Sequence, residues 1–208
     1  MIKSRKIKVA ILGISVLVAA AVVFGIAWNN GLRDRLVPKR FGVVESGRIC
    51  RSGKIHPAII EETLKQYGIK TIINLTGPEG LQKAEDEAAK KLGIEIFNYK
   101  FLEGGLSPAP DYAAVIKTIS DSRNAGRPVL VHCNAGENRT GGVIAVYRIL
   151  VEGKPPDEAY AELLRYGWKK DNAMISHLNG NMKSVSEMLV DAKVIDRMPA
   201  PIPQLPVK

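Results

Sequence analysis

Residues 129–141 of this chain read Val129-Leu130-Val131-His132-Cys133-Asn134-Ala135-Gly136-Glu137-Asn138-Arg139-Thr140-Gly141. The three aliphatic residues at the start are typical of a short strand that is buried on both faces of a sheet. From Thr140 onward the sequence is typical of a helix, which we expect to end at Leu150. A buried strand that leads through a tight turn into a helix indicates an α/β domain.

The turn between this strand and this helix predicts a binding site for a tetrahedral anion. Backbone N–H groups of the turn would point inward at the positive end of the helix dipole. Gly136 allows a positive φ and a close approach of the backbone to a ligand. Arg139 adds a planar, charged set of donors that suits two phosphate oxygens. The predicted phosphate-binding residues are Asn134, Ala135, Gly136, Glu137, Asn138 and Arg139.

Cys133 stands at the floor of this predicted site, where inward-facing amides favour a thiolate. We expect the thiolate to attack phosphorus, while the amides and Arg139 stabilise charge on the equatorial oxygens. Thr140 can donate its hydroxyl to the sulfur in the second step, and His132 is expected to orient the loop through hydrogen bonds. This chemistry needs no metal and no organic cofactor. The alternative is a structural cysteine that precedes a helix.

The rest of the chain alternates short apolar runs with amphipathic stretches, which indicates a single domain with a mainly parallel central sheet flanked by helices. The predicted strands are Phe41–Val44, Arg48–Cys50, Thr71–Leu75, Ile94–Phe101 and Pro128–Val131. The predicted helices are Pro57–Tyr67, Leu81–Leu92, Pro110–Ala125, Thr140–Leu150, Pro156–Tyr166 and Ala173–Ala192.

The formal charge of +9 belongs mainly to the N-terminal segment. Residues 1–40 contain eight Lys or Arg and one Asp, which leaves 22 basic and 20 acidic residues in 41–208. This distribution argues against a nucleic-acid partner. Val9–Trp28 has no charged residue, and as a helix it would extend roughly 30 Å, enough to cross a bilayer.

We interpret this segment as an uncleaved single-pass membrane anchor. The alternative is a signal peptide that is cleaved near Ala19-Ala20-Ala21, followed by secretion. The four basic residues before the span favour a cytoplasmic N-terminus and an exported, periplasmic catalytic domain.

The predicted organisation is an anchor at 1–30, a linker at 31–40, a catalytic domain at 41–195 and a Pro-rich tail at 196–208. The tail cannot sustain a helix because of its prolines, and we favour a disordered end over a role in recruiting a partner. Cys50 is interpreted as a plain buried thiol. The alternative is a reversible disulfide with Cys133.

The pattern His132-Cys133, five residues, Arg139-Thr140 resembles the signature of the protein tyrosine phosphatase superfamily, and the chain is most similar to the small dual-specificity branch. The segment 47–53 resembles the Leu-Tyr-Arg-Ser-Gly segment of bacterial, fungal and plant members, and residues 68–75 resemble their next strand. The similarity covers roughly residues 41–168. It implies the cysteine phosphatase fold.

The resemblance also implies a general acid, usually Asp, on the loop before the third helix. Glu103 occupies that position, and Asp111 is the alternative, although Asp111 would also complement a helix dipole. Glu137 stands where several lipid- and inositol-phosphate-directed relatives carry Lys, and an acid there would repel a highly anionic substrate. Arg51 and Lys54 are expected to be exposed and solvated, unless their segment folds over the cleft.

The leading hypothesis is hydrolysis of phosphomonoesters, on a protein that carries phosphotyrosine, phosphoserine or phosphothreonine or on a small phosphorylated substrate. One alternative is a phosphate-binding module that has lost turnover. Others are an inositol phosphate or phosphoinositide phosphatase, a sulfur transferase and an arsenate reductase.

Overall fold

A computed structural model describes residues 2–77, 83–169 and 172–207 of the 208-residue chain. The chain divides into two compact units, Met1–Val37 and Pro38–Lys208.

The first unit consists mainly of helix α1, Ile2–Ala27, which is followed by a π-helical turn at Trp28–Leu32 and a 3-10 turn at Arg33–Arg35. The stretch Gly13–Arg35 has a mean hydropathy of 1.7, and none of its apolar window is buried within the protein. Within the described part of the chain, this stretch is long enough and apolar enough to cross a membrane.

The second unit is built on a five-stranded sheet with the order β1-β2-β5-β3-β4. Its strands are β1 Gly42–Glu45, β2 Ile49–Ser52, β3 Thr71–Asn74, β4 Glu95–Asn98 and β5 Val129–His132. β1 runs antiparallel to β2, and the other neighbours pair in parallel. The predicted α/β class with a mainly parallel central sheet is therefore confirmed.

Helices pack on both faces of this sheet. The described helices are α2 Ile60–Gln66, α3 Lys83–Leu92, α4 Ala109–Asn124, α5 Asn138–Leu150, α6 Pro156–Arg165 and α7 Asn172–Asp191. Helix α2 begins three residues later than predicted, because His56 Nδ1 accepts a hydrogen bond from the Ala58 N–H in a preceding turn. The predicted start of α3 at 81 and 82 lies outside the described residues.

Two strand ends differ from the prediction by more than one residue. β4 is four residues long because it pairs only with the four residues of β3, from Thr71 opposite Glu95 to Asn74 opposite Asn98. β2 extends two residues beyond Cys50, because its pairing with β5 continues to Ser52 opposite His132.

Strand β5 lies at the centre of the sheet and is buried on both faces, as its sequence predicts. Val129 and Val131 belong to a large apolar cluster with α4, α5 and α7, whereas Leu130 belongs to a second cluster with α2 and α3. The alternation follows from the two-residue period of a strand. β5 therefore delivers Cys133 to the carboxyl end of the sheet from a fixed backbone.

The predicted disordered C-terminal end is wrong. Leu205 is only 2% exposed and belongs to the large apolar cluster. Its N–H donates to Asn179 Oδ1 at 2.7 Å, and its carbonyl accepts from Asn179 Nδ2 at 2.9 Å. The tail is extended, but the burial of Leu205 and its two hydrogen bonds with Asn179 on α7 hold it on the domain.

Candidate active site

The loop between β5 and α5, residues 133–139, is called the cysteine loop below. The N–H of Gly136 donates to Sγ of Cys133 at 3.1 Å. Gly136 has φ +77°, and a Cβ there would lie 2.5 Å from the backbone nitrogen of Gly53. Helix α5 begins within the loop, at Asn138, so the sulfur lies near the positive end of the helix. Both features suit a ligand or a nucleophile that carries negative charge at this position.

Cys133 opens into a cleft of about 190 Å³. The residues that line it are Glu103, Gly104, Cys133, Ala135, Glu137, Asn138 and Arg139. The structure thus brings the predicted nucleophile, Arg139 and Glu103 to the same cleft. Asn134 is exposed, and neither it nor Asp111 is among the described residues that line the cleft.

Glu103 lies on a short 3-10 turn, Glu103–Gly105, between β4 and α4. The turn is held at both ends, because the Tyr112 hydroxyl donates to the Gly105 carbonyl at 2.6 Å and the Leu102 N–H donates to Ser107 Oγ at 2.8 Å. Asp111, the alternative acid, lies in the first turn of α4, where its charge suits the helix dipole. Glu103 is therefore presented at the cleft by an anchored turn.

His132 and Thr140 flank the cysteine loop and are buried. Oε2 of Glu85 lies 3.0 Å from His132 Nε2, within ion-pair distance but without the alignment of a hydrogen bond. Among the described residues, the His132 ring and the Thr140 hydroxyl make no hydrogen bond. The hydrogen bonds predicted from His132 to the loop and from Thr140 to the sulfur are thus not observed. Sequence reasoning missed Glu85, whose position on a helix gives no sign of this contact.

The segment before α2 packs against the back of the cysteine loop. The Lys54 N–H donates to the Asn134 carbonyl at 3.1 Å, and a Cβ at Gly53 would lie 2.8 Å from the Ala135 carbonyl oxygen. Arg40 Nη1 donates to the same Ala135 oxygen at 3.1 Å. Arg40 also forms an ion pair with Glu137, so the carboxylate predicted to repel anionic substrates has a cationic partner.

Arg51 is buried behind the loop, with 1% exposure, and the expectation that it is solvated is wrong. Its Nη2 donates to the Gly136 carbonyl at 2.9 Å, its guanidinium carbon lies 4.0 Å from the centre of the Tyr166 ring, and Nη1 lies 3.4 Å from Glu162 Oε1. Burial lowers the pKa of Arg51, and the charges of Glu162, Tyr166 and Cys133 act in the opposite direction. Sequence reasoning did not identify this role, because Glu162 and Tyr166 lie more than 100 residues after Arg51 in the sequence.

Cys50 lies in the apolar cluster with Leu130, whereas Cys133 contributes to the other cluster, so the two thiols are on opposite faces of the sheet. Both are free. Burial raises the pKa of Cys50 to about 11. These observations support the plain buried thiol over the redox partner. Among the described residues, no group of three or more His, Cys, Asp or Glu could hold a metal ion.

Residues 54–189 match the family described as dual specificity phosphatase, catalytic domain. The chain belongs to this family. The match begins just after β2 and includes the cysteine loop, the Glu103 turn, helices α2 to α6 and α7 up to residue 189.

Three curated proteins are similar to parts of this chain. "Inositol diphosphatase DSP4" of Arabidopsis thaliana is 33% identical over 116 residues, which are 53% of this chain and 56% of that protein. "Protein tyrosine phosphatase domain-containing protein 1" of Mus musculus is 33% identical over 113 residues, 49% of this chain and 15% of that protein. "Dual specificity protein phosphatase TpbA" of Pseudomonas aeruginosa is 39% identical over 66 residues, 31% of this chain and 30% of that protein. The chain thus spans about half or less of these relatives.

Solved structures share the fold at low sequence identity. The core catalytic domain of the PP-IP phosphatase SIW14 from S. cerevisiae, in complex with citrate, has a TM-score of 0.63 at 20% identity and covers 77% of this chain and 96% of its own. P. aeruginosa TpbA has a TM-score of 0.58 at 18% identity, covering 74% and 91%. PTPMT1 in complex with PI(5)P has a TM-score of 0.58 at 15% identity, and the match covers 71% of this chain and 97% of that one.

Proposed function

We propose that the chain is a cysteine-dependent phosphatase that hydrolyses phosphate monoesters through a phosphocysteine intermediate. One observation carries the proposal: Sγ of Cys133 accepts a hydrogen bond from the Gly136 amide in a cleft that Arg139 and Glu103 also line. Membership of the dual specificity phosphatase family supports the same chemistry.

In the first step, the Cys133 thiolate attacks phosphorus, the S–P bond forms and the ester O–P bond breaks. The loop amides and Arg139 stabilise the charge that develops on the equatorial oxygens. Glu103 protonates the leaving oxygen as general acid, since it lies on the cleft and Asp111 does not.

In the second step, water attacks phosphorus and the S–P bond breaks, which releases phosphate and restores the thiolate. Glu103, now a carboxylate, takes the proton from the attacking water. Thr140 is buried beside the loop with a hydroxyl that has no partner among the described residues, so rotation could direct it to the departing sulfur.

The substrate is a phosphorylated protein or a small phosphoester with one phosphate at the cleft. Two carboxylates, those of Glu103 and Glu137, and one guanidinium, that of Arg139, line the described cleft, which favours esters of low charge. The alternative is an inositol phosphate or phosphoinositide, which the names of SIW14, DSP4 and the PTPMT1 complex suggest. The ion pair of Glu137 with Arg40 weakens the argument against this alternative.

The test is turnover of para-nitrophenyl phosphate by the full chain in detergent, with Cys133→Ser and Cys50→Ser as matched variants. We expect the wild type and Cys50→Ser to turn over and Cys133→Ser to be inactive. Equal turnover in Cys133→Ser would remove Cys133 from the chemistry. No turnover in any of them, with phosphate still bound, would favour a binding module. Phosphotyrosyl peptides, phosphoinositides and inositol phosphates, compared by kcat/KM, would then separate the substrate classes.

We further propose that the first unit is a membrane anchor and that the catalytic domain lies on the exported, periplasmic side. Support comes from the apolar stretch Gly13–Arg35 and the four basic residues before it. Intact mass of the mature chain separates an anchor from a cleaved signal peptide. Added protease would then locate the domain. An exported domain is digested in right-side-out spheroplasts and protected in sealed inside-out inner-membrane vesicles.

A further inference from the structure

Gly136 is held through both of the peptide groups that flank its Cα. Its N–H donates to Sγ of Cys133 at 3.1 Å, and its carbonyl accepts from Arg51 Nη2 at 2.9 Å. The side of the residue on which a Cβ would lie is blocked by the backbone of Ser52 and Gly53. The N–H of Gly136 belongs to the Ala135–Gly136 peptide, and its carbonyl belongs to the Gly136–Glu137 peptide. Arg51 therefore fixes the second peptide, and through the Cα of Gly136 it restrains the first, whose N–H binds the nucleophile.

Arg51 is built into the domain as a rigid donor. It lies on β2, paired with Val131 of β5, so its backbone is fixed relative to the strand that carries Cys133. The Tyr166 ring packs against its guanidinium and Glu162 supplies the opposite charge. Glu162 is in turn bound by Arg148, whose Nε lies 2.9 Å from Glu162 Oε2. A buried charge with this much support is costly to place and is oriented with little freedom.

We propose that Arg51 is a positioning residue for the cysteine loop. By holding the Gly136 carbonyl, it directs the Glu137 N–H of the same trans peptide to the opposite side, away from Arg51, and it restrains Gly136, whose own N–H binds Cys133. Its guanidinium is buried behind the loop and also interacts electrostatically with Cys133. This inference rests on the proposed phosphatase function for its consequence in turnover, but not for its consequence in thiol reactivity.

The test compares Arg51→Lys with Arg48→Lys in the full chain in detergent. Lys keeps a positive charge at position 51 but loses the planar set of donors that reaches Gly136, Glu162 and the Tyr166 face together. Arg48 is the matched control, because it precedes the same strand and is largely exposed. Three quantities are measured: the rate of Cys133 alkylation by iodoacetamide at one pH, kcat and KM for para-nitrophenyl phosphate, and the midpoint of thermal unfolding.

We expect Arg51→Lys to lower the alkylation rate and kcat together, by about 10²-fold, as is typical when a catalytic group is misplaced by a remote change. KM should change less than kcat, because Arg51 does not line the cleft. Arg48→Lys should retain wild-type values. A folded Arg51→Lys protein with wild-type alkylation and kcat would overturn the proposal. A fall in unfolding midpoint without a change in either rate would also overturn it, since that is what a purely structural role predicts.

If Arg51→Lys does not fold, the double variant Arg51→Met/Glu162→Met replaces it. Removing both charges leaves no uncompensated ion in the interior, and such replacements of buried pairs are often tolerated. Arg148 keeps a partner in Glu152, whose Oε2 lies 2.7 Å from its Nη1. The double variant still lacks a donor to Gly136, so we expect the same loss of alkylation rate. A wild-type alkylation rate in this variant would overturn the proposal.

The two readouts separate this proposal from the proposed function. If wild type alkylates rapidly at Cys133 but hydrolyses no phosphate ester, the phosphatase assignment fails, while the effect of Arg51 on alkylation still decides the positioning role. If wild type turns over and the Arg51 variants do so equally well, only the positioning role fails.

Discussion

Oε2 of Glu85 on α3 lies 3.0 Å from Nε2 of His132, the last residue of β5, and both side chains are buried. The contact joins a helix on one face of the sheet to the strand that carries the nucleophile. Removal of one partner from a buried pair leaves the other without compensation in a medium of low dielectric. The residue before Cys133 therefore depends for its environment on a helix 40 or more positions earlier in the chain.

We predict that Glu85→Ala lowers the free energy of unfolding by about 1–3 kcal/mol, because it leaves the buried His132 ring without its polar neighbour. The measurement is urea denaturation of the detergent-solubilised chain, followed by the fluorescence of buried Trp168 in a Trp28→Phe background. Glu87→Ala on the same helix is the control, because Glu87 is 68% exposed and should change stability by no more than about 0.5 kcal/mol. Equal denaturation midpoints for the two variants would contradict the buried pair.

Glu103→Gln should lower kcat/KM by about 10²-fold or more on phenyl phosphate, a substrate whose leaving group needs protonation. On para-nitrophenyl phosphate, whose leaving group is a much weaker base, the loss should be far smaller. Asp111→Asn is the matched variant, and its kcat/KM on both substrates should equal that of the wild type. If Asp111→Asn shows the dependence on leaving group and Glu103→Gln does not, the general acid has been assigned to the wrong carboxylate.

The sequence was sufficient for the parts of this domain that local pattern controls. The apolar run of β5, the glycine of the cysteine loop and the following helix are consecutive in the chain, so periodicity and backbone chemistry predict them together. Glu103 could be placed because its loop follows a recognisable strand. The boundaries of β2 and β4 could not, because a strand ends where its partner ends and not where its own β propensity falls.

Arg51 and the tail show what sequence reasoning lacked. An arginine in a short strand is expected to be exposed unless its partners are known. Glu162 and Tyr166 contact Arg51 in the fold but lie more than 100 residues after it in the sequence. Leu205 stands among prolines, which exclude a helix but do not exclude packing. Both outcomes depend on side chains that only the tertiary fold brings close, and neither leaves a periodic signal.

Cys50 should be unreactive in the folded chain at neutral pH. Burial raises its pKa to about 11, so its thiolate becomes abundant only near and above that pH, and at lower pH the thiol stays protonated. We expect iodoacetamide at pH 7.5 to add one group to the wild type, at Cys133, and none to folded Cys133→Ser. The same variant in urea should gain one group at Cys50. Intact-mass spectrometry measures both, and an adduct on folded Cys133→Ser would show that Cys50 is accessible.

Gly53→Ala should impair the cysteine loop without touching the cleft. The added Cβ would lie 2.8 Å from the Ala135 carbonyl oxygen and 3.0 Å from that of Asn134, both backbone atoms that must shift. We expect a loss of about 1–3 kcal/mol in stability from this overpacking, together with a lower kcat. Gly180→Ala on α7 is the control, since nothing lies within 4 Å of its added Cβ. That variant should retain kcat and gain about 0.5–1 kcal/mol from helix propensity.

Leu205→Ala should destabilise the domain although it lies three residues from the C-terminus. Leu205 is fully packed against the large apolar cluster, so its truncation removes apolar burial and leaves a cavity, at a cost of about 2–3 kcal/mol. Val207→Ala is the control, because Val207 is 61% exposed and its truncation should cost no more than about 0.5 kcal/mol. Urea denaturation monitored at Trp168 measures both variants. Were Leu205→Ala as stable as Val207→Ala, the tail would contribute nothing to the core, and its hydrogen bonds to Asn179 would be too weak to hold it on α7.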